Sequence, residues 1–182
     1  MRIIKGTLQR RKIIAPKNLP VRPTTDFAKE ALFNIIEDNF YIEGLEILDL
    51  FAGTGNISYE FISRGADVTA VDLNHDCVKF INKTKTEFEL DNLKIIKSDA
   101  LRFIKSLKKS YDIVFADPPY DFKKTEELVN LILEREILNE DGLLIVEHGK
   151  ETPLKHLKSW QETRVYGRVN FSFFAPLEKI EL

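Results

Sequence analysis

The residues from Leu45 to Ile57 constrain this chain more than any other stretch. Leu45-Glu46-Ile47-Leu48-Asp49-Leu50 is dense in Leu and Ile, the pattern of a strand buried on both faces. Two glycines then break the run in Phe51-Ala52-Gly53-Thr54-Gly55-Asn56, and Ile57-Ser58-Tyr59-Glu60-Phe61-Ile62 resumes apolar residues at helical spacing. A strand, a glycine turn and a helix in that order form a cradle for a nucleotide-type ligand. Gly53 and Gly55 carry no Cβ, so the backbone can bend sharply and let a ligand come close. The helix beyond them offers backbone N–H groups that lack intrahelical partners.

Two residues narrow the ligand. The dinucleotide fingerprint places a third glycine where this chain has Ser58. Asp49, at the strand end, sets a carboxylate where a pyrophosphate would be repelled and a cation welcomed. S-adenosylmethionine carries a sulfonium and an amino group and no phosphate. Asp49-Leu50-Phe51-Ala52-Gly53-Thr54-Gly55 resembles motif I of the class I S-adenosylmethionine-dependent methyltransferases. The resemblance implies cofactor contacts from Asp49, Phe51, Ala52, Gly53, Thr54 and Gly55.

The rest of the chain alternates strands with helices. Thr24, Thr25 and Asp26 are all competent N-cap residues, and the apolar positions Ala28, Ala31, Leu32, Ile35 and Ile36 predict a helix after them. Lys29, Glu30, Asn34, Glu37 and Asp38 fall off that apolar face. Strands are expected over 45–50, 67–72, 93–98, 111–116 and 142–147, and helices over 57–64, 74–90, 100–109 and 125–137. Such alternation calls for a parallel sheet wound on both faces by right-handed crossovers. The tail changes character: residues 162–166 and 168–175 read as a hairpin on the sheet edge, with Gly167 between them. The expected fold is α/β and Rossmann-like, of the class I methyltransferase type. It is a mostly parallel seven-stranded sheet with an antiparallel C-terminal strand, plus a short basic N-terminal β-hairpin.

Three acids and a tetrapeptide end the strands. Asp72 closes the second, 17 residues after Gly55 and near the position of an acid that binds ribose hydroxyls. Leu73 follows it. Asp99 and Ala100, after the third strand, are placed by position beside the adenine. Asp117-Pro118-Pro119-Tyr120 ends the fourth, where the order of strands should switch and a ligand crevice open. An exocyclic amine is a poor nucleophile because its lone pair is delocalised into the ring. The Asp117 carboxylate and the Pro118 carbonyl, each accepting one N–H, can fix such an amine and turn its lone pair outward. The prolines fix φ and aim that carbonyl. Tyr120 offers a face on which a flipped base can stack.

The charges are unevenly spread. The net charge is −2, yet Arg2, Lys5, Arg10, Arg11, Lys12, Lys17 and Arg22 fall in the first 25 residues without an acid. A basic arm on an acidic body suits a polyanionic partner gripped at one end. Ile3-Ile4 and Ile13-Ile14, separated by Gly6-Thr7, give the arm its hairpin pattern. Cys77 is single, so a disulfide framework or cysteine metal cluster is not expected. His75, His148 and His156 lack ligand spacing, and no metal is expected. The basic N-terminus is followed by no apolar signal-like run, and no stretch has the length of a membrane span. A cytoplasmic monomer is the expectation.

Asp-Pro-Pro-Tyr resembles the motif IV of amino-methyltransferases that act on adenine N6, guanine N2 or glutamine N5. The N-terminus narrows this set. Arg22-Pro23-Thr24-Thr25-Asp26-Phe27-Ala28-Lys29-Glu30-Ala31-Leu32-Phe33, after Arg2-Ile3-Ile4-Lys5-Gly6 and Arg10-Arg11-Lys12-Ile13, resembles the RsmD-type 16S rRNA guanine-N2 methyltransferases. The resemblance runs through motif I, Asp117 to Tyr120 and Tyr166-Gly167. It departs at Asn56, commonly Gly or Ala in the family, and at Asp72, often Glu.

That family implies S-adenosylmethionine as cofactor, with Thr24 and Asp26 in a segment closing over its methionine end. It implies ribosomal RNA, naked or within a small-subunit particle, as partner, without membrane or metal. On this reading residues 1–23 are an RNA-contacting arm (Arg2, Lys5, Arg10, Arg11, Lys12, Arg22) and 24–182 the methyltransferase domain. The alternatives are methylation of DNA adenine or protein glutamine, and a non-catalytic RNA-binding relative. Glu147 and His148 lie near the cleft by topology, without an assigned role.

Overall fold

A computed structural model describes residues 1–16, 19 and 25–176. Helix α1 (Asp26–Asn39) starts where Thr25 accepts a hydrogen bond from the Ala28 N–H at 3.2 Å. The alternation then runs β1 (Glu46–Leu50), α2 (Asn56–Ser63), β2 (Asp67–Asp72), α3 (His75–Glu87), β3 (Leu93–Lys97), α4 (Ala100–Ser106), β4 (Tyr111–Ala116), α5 (Thr125–Glu134) and β5 (Leu138–His148). The chain finishes with β6 (Trp160–Tyr166) and β7 (Val169–Phe174). Asn74 and Asp99 cap α3 and α4 through their side chains, and both helices end earlier than their apolar spacing predicts. Strand β5 begins earlier than expected, because residues 138–142 continue it through an irregularity opposite Tyr111 and Ile113.

The sheet order is β3-β2-β1-β4-β5-β7-β6. All pairs from β3 to β5 are parallel, and β7 runs antiparallel to both its neighbours. The fold class expected from the sequence is thus the one observed. Leu32, Ile36, Phe61 and Ile81 of α1–α3 pack on one face of the sheet with Ile47, Ala70, Phe115, Ile145 and Phe173. Leu101, Ile104, Leu128 and Ile132 of α4 and α5 pack on the other with Leu48, Val71, Val114 and Val146. Side chains alternate between faces along a strand, so Asp49, Asp72 and Glu147 share the α1–α3 side with Ile47, Ala70 and Ile145.

The basic N-terminal segment folds back on itself as a minimal hairpin. Arg2 and Lys12 form an antiparallel bridge, flanked by hydrogen bonds from the Ile3 N–H to the Arg11 carbonyl at 3.2 Å and from the Ile13 N–H to the Met1 carbonyl at 3.1 Å. The pairing extends to no longer strand among the described residues. Its backbone is also seated on α2. The Thr7 and Leu8 N–H groups bond the Ser63 carbonyl and hydroxyl at 2.7 and 3.0 Å, and the Ile4 N–H bonds Glu60 Oε1 at 2.7 Å. Gly6, at φ +91°, makes this approach possible: a Cβ there would lie 1.8 Å from the Ser63 carbonyl oxygen. Ile3 and Ile13 are buried beneath. A departure from the sequence reading is Lys29, which the helical spacing sets off the apolar face and which the structure buries completely.

Candidate active site

The strand order sets the site. Chain direction along the sheet reverses between β1 and β4, and ligands of doubly wound sheets bind at the carboxyl ends of the strands around that point. Asp99, Asp72, the glycine turn, Asp117 and Glu147 lie at the carboxyl ends of β3, β2, β1, β4 and β5 in that spatial order. The glycine turn, Asp72, Asp99 and Asp-Pro-Pro-Tyr are therefore brought to one edge.

The turn after β1 is tightly held. Phe51 adopts φ +62°, unusual for a side chain of its size, and its ring meets Phe122 edge-on at 5.1 Å. The Ala52 N–H bonds the Val71 carbonyl at 3.0 Å, tying the turn to β2. Gly55, at φ +77°, is the N-cap of α2; a Cβ there would lie 2.7 Å from the Tyr59 ring. Asp72 places one oxygen 2.7 Å from the Gly53 N–H and the other 2.7 Å from the Asn74 N–H. Each carboxylate oxygen can accept more than one hydrogen bond, so Asp72 can brace the turn and still accept from hydroxyls.

Asp49 is buried, and Ser58 donates its hydroxyl to Asp49 Oδ2 at 2.5 Å. The residue that breaks the dinucleotide fingerprint is thus the partner of the acid that disfavours a phosphate. Burial pushes the Asp49 carboxyl up to about 7; the Ser58 hydrogen bond opposes this and the nearby Asp72 charge adds to it. Asp117 is raised well above the usual carboxylate range, first by burial and then by the charges of Glu147 and Asp49. The Asp117 N–H bonds the Leu50 carbonyl at 3.3 Å, which ties Asp-Pro-Pro-Tyr to the strand feeding the glycine turn. A group of buried and half-buried carboxylates facing an open edge favours a cationic ligand over an anionic one. S-adenosylmethionine, with two positive groups, a ribose diol and no phosphate, fits this donor set.

Tyr120 is 78% exposed, and Gly149 lies against its ring. Behind Gly149 runs a relay that the sequence did not disclose. His148 Nδ1 faces the Gly149 carbonyl at 2.8 Å, which makes that nitrogen the donor and leaves Nε2 to accept from the Ser172 hydroxyl at 2.7 Å. Ser172 meets Thr163 at 2.8 Å, and Thr163 accepts from the Trp160 indole N–H at 3.1 Å. Every group has a partner when His148 is neutral, and burial lowers its pKa in the same sense. The relay spans β5, β7 and β6, which meet only in the folded sheet. Only the adjacency of Glu147 and His148 to the cleft was visible beforehand.

Other expectations divide. Asp99 caps α4 by accepting from the Arg102 N–H at 2.9 Å, and it lines an open cavity of about 640 Å³ with Phe122 and Lys123. Ala100 is buried behind it. Leu73 is exposed. Asp26 lies 3.7 Å from Arg2, and Lys5 pairs with Glu37 at 2.8 Å, so two cations of the arm already face acids. Arg11 stacks over the Phe88 ring, and Arg10 and Lys12 are exposed. Thr24 and Arg22 lie outside the described residues. Cys77 is a buried packing residue. Among the described residues no group of His, Cys, Asp and Glu could hold a metal ion, and no helix is long and apolar enough to cross a membrane.

The glycine turn and the antiparallel seventh strand, set in this strand order, define the class I methyltransferase fold. Residues 1–175 match the family described as Conserved hypothetical protein 95, and the chain belongs to that family. Ribosomal RNA small subunit methyltransferase D of Escherichia coli is 30% identical over 178 residues, which cover 96% of this chain and 89% of that one. The protein of the same name from Haemophilus influenzae is 33% identical, covering 88% and 84%. The solved structure of yhhF from Escherichia coli superposes with a TM-score of 0.84 at 28% identity, covering 97% of this chain and 99% of that one.

Proposed function

We propose that this chain methylates the exocyclic N2 amine of a guanine in small-subunit ribosomal RNA, with S-adenosylmethionine as donor. The observation that carries the reading is the place of Asp117-Pro118-Pro119-Tyr120, joined backbone to backbone with the strand that feeds the glycine turn. The names of the relatives support ribosomal RNA as substrate. When bound, S-adenosylmethionine supplies an electrophilic methyl group on sulfur.

The chain supplies the rest. Asp49 and Asp72 attract the positive groups and accept from the ribose hydroxyls, and the glycines let the turn close on the ligand. Asp99 and Ala100 border the adenine, with Leu73 beside the ribose. Thr24 and Asp26 approach the methionine end. Tyr120 stacks the target base. Asp117 and the Pro118 carbonyl hold the amine by its two N–H groups and keep its lone pair toward the methyl. The amine must lose a proton once methylated, and a carboxylate whose basicity is raised by burial is suited to take it. Arg2, Lys5, Arg10, Arg11, Lys12 and Arg22 contact phosphates.

The test is single-turnover methyl transfer to small-subunit RNA or particles taken from cells lacking the gene, with the modified nucleotide mapped. Asp117→Ala should lower turnover by about 10²–10³, the loss typical of a preorganised polar contact. Asp117→Asn, which keeps an acceptor oxygen, should retain part of it. Wild-type-like transfer by Asp117→Ala would refute the mechanism. A methyl mapped to an adenine or to protein would refute the substrate.

A further inference from the structure

Lys29 has no exposed surface, and its ammonium uses all three of its donors. Nζ donates to the Arg2 carbonyl at 2.6 Å and to Asn56 Oδ1 at 2.9 Å, and it lies 2.9 Å from Glu60 Oε1. Glu60 is equally buried, and it also takes the Ile4 N–H and the Arg64 guanidinium. The partners sit on separate pieces of the chain: the N-terminal segment, the first residue of α2 and the middle of α2. Asn56 directly follows Gly55 of the glycine turn. A second contact runs the same way, because the Thr54 hydroxyl donates to Met1 Sδ at 3.4 Å.

A buried ion pair adds little net stability, since desolvating both charges offsets their attraction. Two apolar side chains would hold α1 on α2 as well. What they could not do is fix the direction of the Asn56 side chain and of the Arg2 carbonyl. Those are the two groups through which Lys29 reaches the turn and the segment seated beside it.

We propose that Lys29 is a positioning residue for cofactor binding, pinning the Gly53–Gly55 turn through Asn56 and seating residues 1–4 as one wall of the cofactor site. The inference rests on the S-adenosylmethionine reading above. The N-terminal segment then has two faces. On one, Arg10 and Lys12 are exposed and Arg2 and Lys5 meet Asp26 and Glu37 at the surface; on the other, the Arg2 carbonyl meets Lys29 and Met1 meets Thr54 of the turn.

The experiment uses the full-length protein, with S-adenosylmethionine binding measured by calorimetry and melting temperature measured beside it. Wild-type protein that does not bind refutes the cofactor reading and this inference with it; wild type that binds, with variants that bind equally well, refutes the inference alone. Lys29→Met should lower the melting temperature and weaken binding at least tenfold. The double variant Lys29→Met/Glu60→Met removes both charges of the buried pair and leaves Arg64 on Glu37, so it should recover part of the melting temperature lost in Lys29→Met while binding stays weak. Recovery of both would make Lys29 a structural residue only and overturn the proposal. Asn56→Ala against Asn56→Asp decides the matter if the double variant does not fold. Ala should weaken binding and Asp, which keeps the acceptor, should restore it; equal affinities would overturn the proposal.

Discussion

The buried Asp49 carboxyl makes the stability of this protein depend on pH near neutrality. That carboxyl titrates near pH 7 in the folded protein, because burial disfavours the charge. In the unfolded chain it titrates near an ordinary value of about 3.9. Between pH 6 and pH 8 the unfolded chain is therefore already ionised, while the folded one gives up a proton. For a raised carboxyl the stabilisation is complete below the unfolded pKa and drains away as pH rises through the folded one. At about 1.4 kcal/mol per unit, a group centred near 7 costs about 1.4 kcal/mol between pH 6 and 8, or about 3–6 °C in a domain of this size.

Asp117 is shifted in the same direction, and His148 in the opposite one: held neutral, it loses its contribution as pH falls below about 6.5. The quantity to read is therefore the wild-type melting curve minus that of Asp49→Asn, whose amide oxygen still accepts from Ser58. The wild type should lose about 3–6 °C more than the variant between pH 6 and 8. A cation welcomed by ionised Asp49 should also bind more weakly below pH 7, by up to about tenfold per unit. Melting curves that shift in parallel would refute the reasoning.

Two further outcomes follow from the site. Asp72→Ala removes the acceptor of the Gly53 and Asn74 N–H groups and of the proposed ribose contact, and should weaken S-adenosylmethionine binding by about 1.5–3 kcal/mol per charge-assisted bond lost. Unchanged affinity by calorimetry would sink that assignment. Tyr120→Ala should weaken RNA binding by about 1–3 kcal/mol, with Tyr120→Phe close to wild type because stacking survives; equal loss in both would show that the hydroxyl, not the ring, holds the base.

What the sequence disclosed was local. The glycine turn, Asp72 at the end of β2 and Asp-Pro-Pro-Tyr after β4 are each written within a few consecutive residues, and strand order then gathers them. Lys29 was misplaced because helical spacing weighs only residues of its own helix, while Glu60 and Asn56 lie about thirty positions away on α2. Ser58 read as a missing glycine, since its value lies in facing Asp49 across the turn. The His148 relay needs β7 beside β5 and Trp160 and Thr163 brought over from β6, a meeting no local pattern encodes. The hairpin pattern of the N-terminal segment was legible in Ile3-Ile4, Gly6 and Ile13-Ile14, but its seat on Ser63 was not, because that contact joins residues more than fifty positions apart.

The place of β7 also sets an order of events during synthesis. Strand β6 is made first, yet its partner in the sheet is β7, which inserts between it and β5. Until residues Val169–Phe174 have been made, β5 presents an open edge at Leu144, Ile145 and Val146. An apolar edge left open invites pairing with strands of other chains. Glu147 and His148 gain their neighbours Phe171 and Asn170 only when it closes. The nascent protein thus passes through a stage in which the glycine turn can already fold while the far side of the crevice cannot. On that side the outermost strand among the described residues is β6, where Glu162 and Arg164 form an ion pair, and charge on an outer strand discourages a further one from adding.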